Sequence, residues 1–196
     1  MRPTMVKAMK KSVFLLFLAS ASLIFANEQE DRGLELCKFT ENVFNILQSK
    51  VVCKKDCKNK EECEHVYFYS VDTLKKYNKS SNPDIIILTN KFVDSFTNQS
   101  DDKEYLADAI SDLGRLLKCS VDDKRYRTET PYLIHRKDLN KQIVYIESKL
   151  GDRLPKKGVN HHKLMMESLA DEDYDIALYA YLKIAINRCE QTQKET

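Results

Sequence analysis

The chain has 196 residues, with 32 Lys and Arg against 30 Asp and Glu, six cysteines, and only four glycines and four prolines. Four of the basic residues (Arg2, Lys7, Lys10, Lys11) and none of the acidic ones fall in residues 1–26, so the remainder carries 28 against 30, a net charge of −2. That balance gives general nucleic-acid binding no electrostatic footing, and Gly33, Gly114, Gly151 and Gly158 are too scattered to form a phosphate-cradling loop.

Lys10 and Lys11 lead an apolar run from Val13 to Phe25, broken only by Ser20 and Ser22, and Ala26 supplies a small residue at its end. This order reads as a secretory signal peptide over residues 1–26, too short and wrongly flanked for a membrane span. Met9 is a second plausible start, and Ala19-Ser20-Ala21 a second cleavage point. Nothing later is apolar for long enough to cross a bilayer. The expectation is a protein of the periplasm or the medium, with residues 27–196 forming a single helical domain. So few turn-forming residues in a chain of this length favour helices over strands.

From Arg32 to Val52, Leu36, Val43, Phe44, Leu47 and Val51 recur at helical spacing, with Cys37 and Thr40 on the same stripe. Residues 53–60 read as a lysine-rich, cysteine-bearing turn. A second helix from near Glu61 would align Cys63, Tyr67, Ser70, Leu74 and Tyr77. Asn82-Pro83 has the form of an N-cap and first-turn proline, ahead of the stripe Ile85, Leu88, Phe92, Phe96; the Ile85-Ile86-Ile87 run also suits a strand. Asp101-x-x-Glu104 makes a capping box before Leu106, Ala109, Ile110, Leu113, Leu116 and Leu117, in a helix ending near Cys119. Residues 120–135 are the least regular part of the domain. Leu139, Ile143, Ile146 and Leu150 mark a further helix closed by Gly151. A short helix over 159–170 and a longer one over 172–190, carrying Ile176, Ala177, Ala180, Tyr181, Ile184 and Ala185, complete an all-α chain. The predicted architecture is one irregular bundle of six or seven helices, braced by disulfides.

Export places Cys37, Cys53, Cys57, Cys63, Cys119 and Cys189 in an oxidising compartment, where an even number reads as a disulfide framework. One or two bonds are expected within 53–63 or back to Cys37, and one between Cys119 and Cys189. A loop as long as the last contributes on the order of 3–5 kcal/mol by restricting the unfolded chain. Cys53, Cys57, Cys63 and His65 could instead hold zinc, although the spacing is not that of a finger or ribbon. A catalytic cysteine would need an unpaired thiol beside a base such as His135 or His162.

His161, His162, Met165 and Met166 bring imidazole and thioether donors together at i,i+4, a soft set suited to Cu(I). The plainer reading has Leu164, Met165 and Leu169 in the core and the histidines in water. Basic residues crowd 149–163 and acidic ones 167–175, as solvated helix faces, as a cap on the last helix, or as a polarised face for a charged partner. The patterns G-x-S-x-G, H-E-x-x-H, S-x-x-K and the EF-hand loop do not occur, and no cofactor is expected.

The chain therefore reads as a small exported helical binding protein rather than an enzyme. The expected role is that of a periplasmic inhibitor or immunity-type protein contacting another protein through Lys54, Lys55, Tyr126, Arg127 and Tyr132. In overall profile (export, a disulfide-braced helical domain, abundant surface charge) it resembles the helical periplasmic immunity proteins of bacterial toxin systems. The alternatives are a secreted virulence or host-interaction factor and a periplasmic copper-binding protein.

Overall fold

The computed structural model describes residues 27–51, 70–97, 103–118 and 132–192, with side chains as far as Cys189. The expectations placed on 1–26, on Cys53, Cys57, Cys63 and His65, on Lys54 and Lys55, on Asp101 and Cys119, and on Tyr126 and Arg127 lie outside these residues. Within them the chain is helical and contains no strand. In order come α1 (27–51), α2 (70–75) running into a 3-10 turn at Lys76–Lys79, α3 (Pro83–Thr97), α4 (Lys103–Leu116), α5 (Arg136–Leu150), α6 (His161–Ala170) and α7 (Tyr174–Thr192).

On α1 the residues Leu36, Phe39, Val43, Phe44, Ile46 and Leu47 are buried. Helical structure is already present five residues before Arg32, where the apolar stripe begins. Thr40, fully buried on the stripe, satisfies its hydroxyl by donating to the Leu36 carbonyl at 2.8 Å. Phe39 meets Tyr77 edge-on at 5.2 Å and lies 6.0 Å from Phe92, so one aromatic side chain joins α1 to the 3-10 turn and to α3. Toward α5, the Tyr145 hydroxyl donates to Asn45 Oδ1 at 2.8 Å and Gln48 Nε2 donates to the Lys149 carbonyl at 2.5 Å.

The start of α3 follows its sequence signal. Asn82 Oδ1 accepts from the Asp84 amide at 3.1 Å, and Pro83 takes the first helical position, where its missing N–H costs nothing. The isoleucine run is helical: Ile85 is buried, Ile86 intermediate and Ile87 55 % exposed, as a 100° step per residue requires. On α5, Leu139, Ile143, Ile146 and Leu150 are all buried, and Gly151 ends the helix at φ 53°. That left-handed conformation is open to glycine at little steric cost.

Burial is most continuous on α7. From Asp175 to Ala180 every residue is buried, as are Leu182, Ile184, Ala185 and Ile186, and the helix packs on α4, α5 and α6. Six consecutive buried positions cover every face of a helix, so this part of α7 lies among its neighbours, while Asn187 and Arg188 further on are exposed; each large aliphatic side chain buried there contributes about 1.5–3 kcal/mol. Its approach to α4 is close: a Cβ added at Gly114 would stand 2.2–2.5 Å from the Tyr181 ring. A single apolar cluster draws buried residues from α1 to α5 and α7, with the partly buried Leu164 and Leu169 of α6 packed against it.

Candidate functional site

Of the polar or reactive groups singled out by the sequence, Cys37, Tyr132, His135, His161, His162, Met165, Met166 and Cys189 lie among the described residues. Tyr132, expected at a partner interface, is instead in the core and 3 % exposed. With Leu133 and Ile134 it forms a strap laid across the first turns of α1. The Leu133 amide donates to the Gln29 carbonyl at 3.1 Å, and His135 Nε2 lies 3.2 Å from Glu30 Oε1. The strap sits so close that a Cβ on Gly33 would fall 2.4 Å from the Leu133 carbonyl oxygen. The Tyr132 hydroxyl reaches Asp84 Oδ2 at 2.5 Å and Asn82 Oδ1 at 3.0 Å. It has one proton, which goes to the carboxylate, the shorter and charge-assisted contact. Burial and that carboxylate together push its ionisation well above the ordinary tyrosine range. The expectation treats 120–135 as one irregular exposed segment, whereas its last residues pack on the core. The signal the sequence offers is the unbroken apolar run Tyr132-Leu133-Ile134, whose residues are buried, half-buried and buried in turn.

Cys37 corrects a second expectation. It is a free thiol, 3 % exposed on the core face of α1, rather than a disulfide partner. Desolvation, with the Asp138 carboxylate adding to it, pushes the thiol up to about 12. Thiolate is therefore negligible near neutrality, and Cys37 behaves as a small apolar side chain rather than a nucleophile. With Cys37 unpaired, five cysteines remain, so intramolecular pairing leaves at least one more thiol over. Cys189 is buried on α7.

The two charge runs are partly cross-paired, not wholly arrayed as a polarised face. Arg153, in the turn after α5, forms a two-pronged contact with the Asp175 carboxylate. One arm is short, the other runs 3.0 Å from Nη2 to Oδ1, and Nη2 also lies 3.5 Å from Asp173. Asp175 is fully buried, and its Oδ1 accepts from the Ile176 amide at 2.9 Å. Hydrogen bonding to Asp175 raises the guanidinium above its ordinary range. The pair fixes the α5–α6 connection against the start of α7. Lys163 and Glu167 lie 3.5 Å apart on α6.

At the N-terminus of α6, Asn160 Oδ1 accepts from the His162 amide at 3.0 Å and the Lys163 amide at 3.2 Å, which sets the helix start at His161. The proposed soft-metal residues divide between two environments. His161 is half-buried, edge-on to Tyr179 with ring centres 6.3 Å apart, and Met165 is also half-buried. His162 is exposed and Met166 is 63 % exposed. Burial pulls the His161 imidazole below its usual range, and the charges of Lys183 and His162 reinforce this. Lys183 lies 3.2 Å from Glu147, which also accepts from the Tyr179 hydroxyl at 3.1 Å. Among the described residues, no group of three or more His, Cys, Asp or Glu could hold a metal ion. A cavity of about 300 Å³ opens here, lined by Val159, Asn160, His161, His162, Ile184, Asn187 and Arg188.

No described helix is long and apolar enough to cross a membrane. Comparison of the chain with protein-family models, with curated proteins and with solved structures found no match.

Proposed function

We propose that this chain is an exported helical binding protein, matured by cleavage after Ala26, that acts by contact with another protein. The concrete form is an inhibitor or immunity-type protein of the periplasm. The observation that carries the reading is the state of the reactive groups. Cys37 is held as a thiol, Tyr132 and Tyr179 are held as neutral phenols by burial and carboxylate contacts, and Asp175 is committed to Arg153. These side chains maintain the fold instead of presenting an acid, base or nucleophile. With Tyr132 buried, the contact surface rests on Lys54, Lys55, Tyr126 and Arg127. A bond between Cys119 and Cys189 would brace the end of α7. Its support is the packing of α4, which precedes Cys119 in the chain, on α7.

The test is capture from the native cell envelope on tagged protein beginning at Asn27, oxidised as exported, with the stoichiometry of recovered proteins measured. One partner at near-equal amount, lost when Tyr126 and Arg127 are replaced by alanine, is the expected result. Binding unchanged by those replacements would move the contact elsewhere. Recovery of the protein mainly from the medium would favour the host-interaction reading. Copper bound stoichiometrically through His161 and His162, with no protein partner, would overturn the contact reading.

A further inference from the structure

The connection between α5 and α6 is fixed at its ends and loose between them. Arg153 is held by its two-pronged contact with Asp175 at the start of α7, and Asn160 is held as the cap of α6. Among the described residues, no hydrogen bond or ion pair ties residues 155–159 to another element. Residues 154–160 are neither helix nor strand, with only a turn at Lys157–Gly158. Lys156, Lys157 and Gly158 are exposed, and Leu154 is 38 % exposed. Leu154 is already extended, at φ −60° and ψ 130°, as suits the residue ahead of Pro155. Gly158 stands at φ 82° with open space around it, so straightening the turn there costs little.

An endoprotease threads several residues on either side of the cut through its cleft in extended form, which a helix supplies only by unfolding. A trypsin-type protease also needs a basic side chain, whose cation meets the carboxylate of its specificity pocket. Lys137 and Lys141 meet the second need and fail the first, because they are exposed but lie inside α5. Lys156 and Lys157 meet both. We propose that the α5–α6 connection is a processing site for a trypsin-type endoprotease, cut after Lys156 or Lys157, and that the nicked protein stays assembled. At the second position one water is added across the Lys157–Gly158 amide, leaving a carboxylate on Lys157 and an ammonium group on Gly158. The two pieces remain joined by the Arg153–Asp175 pair and by the packing of α7 on α4 and α5. The site is a property of this connection and does not depend on the export or the partner proposed above.

Trypsin at a low ratio is the probe, added to the oxidised mature protein under native conditions, and peptide mass mapping of early samples reads the rate at each bond. The bonds after Lys156 and Lys157 should be cut about a hundredfold or more faster than those after Lys137 and Lys141, which open only when α5 unfolds. The chain cut only in this connection, isolated at low conversion, should match the intact protein in size-exclusion chromatography and far-UV circular dichroism. Lys156→Gln together with Lys157→Gln should abolish cutting here and leave the urea midpoint unchanged, since both side chains are exposed. Three results would each overturn the proposal. They are survival of these two bonds for as long as those in α5, a stoichiometric complex with trypsin that leaves them uncut, and loss of helical signal on cutting.

Discussion

Replacing Gly33 by alanine sets two physical effects of opposite sign against each other. Gly33 lies inside α1, where helix propensity alone favours alanine by about 1 kcal/mol. The structure places the new Cβ 2.4 Å from the Leu133 carbonyl oxygen, 2.8 Å from its carbon and 3.2 Å from the Ile134 amide nitrogen. A carbon–oxygen contact is comfortable at about 3.3–3.6 Å, so the strap must retreat by roughly 1 Å. That movement stretches the Leu133-to-Gln29 hydrogen bond, now 3.1 Å, and pulls Tyr132 from its place above Asp84. Overpacking costs about 1–3 kcal/mol and a lost hydrogen bond about 1 kcal/mol. After the propensity gain, the net expectation is destabilisation by about 1–3 kcal/mol. For a domain of this size each kcal/mol lowers Tm by roughly 2–4 °C. Urea unfolding of the mature protein followed by far-UV circular dichroism measures this, with Asn140→Ala on the exposed face of α5 as a propensity-only control. A Gly33→Ala midpoint equal to or above that of the parent would refute the close packing of strap on helix.

Other substitutions probe separate contacts. Arg153→Met leaves the fully buried Asp175 carboxylate without its cation; because the arginine side chain is 30 % exposed, the loss in urea unfolding should be about 2–3 kcal/mol rather than the upper end for buried pairs. Glu172 is held at φ 62°, so Glu172→Gly should raise stability by about 0.5–1 kcal/mol in thermal melts, despite the loss of its exposed contact with Lys103 at 2.7 Å. Native protein treated with iodoacetamide at neutral pH should carry no label on Cys37 by peptide mass mapping, and should gain it only on unfolding. Desolvation raises the Asp112 carboxyl, but Lys91 and Arg115 outweigh it and hold it below its ordinary value of 3.8. Its contribution is thus complete above that value and is lost as pH falls through the lower folded value. Asp112→Asn should flatten that part of the acid limb of a stability-against-pH curve.

The helices were legible where apolar spacing and end signals agreed. Leu139 to Leu150 with Gly151, and Asn82-Pro83 ahead of Ile85, are read and observed at the same positions. The centrality of α7 was only partly visible. Its apolar residues were seen, but burial on every face depends on which helices surround it, a long-range property. The strap was not legible because three consecutive apolar residues, Tyr132 to Ile134, stand at the edge of an irregular, charge-rich segment and carry no helical period. Cysteine parity pointed toward complete pairing, yet the position of Cys37 on the same stripe as Leu36, Val43 and Phe44 already marked it as core. The cavity beside α6 was half legible. His161 and His162 stood out in the sequence, while Arg188, more than twenty residues away, arrives beside them only through the pairing of α6 with α7.

Export underlies the proposed function, and intact-mass and peptide mapping of the protein purified from its own host test it most directly. The expected result is a chain beginning at Asn27 in an exported fraction, with Cys189 linked to Cys119 and Cys37 recovered as a free thiol. A full-length chain retained inside the cell, with residues 1–26 still attached and all six cysteines reduced, would contradict it.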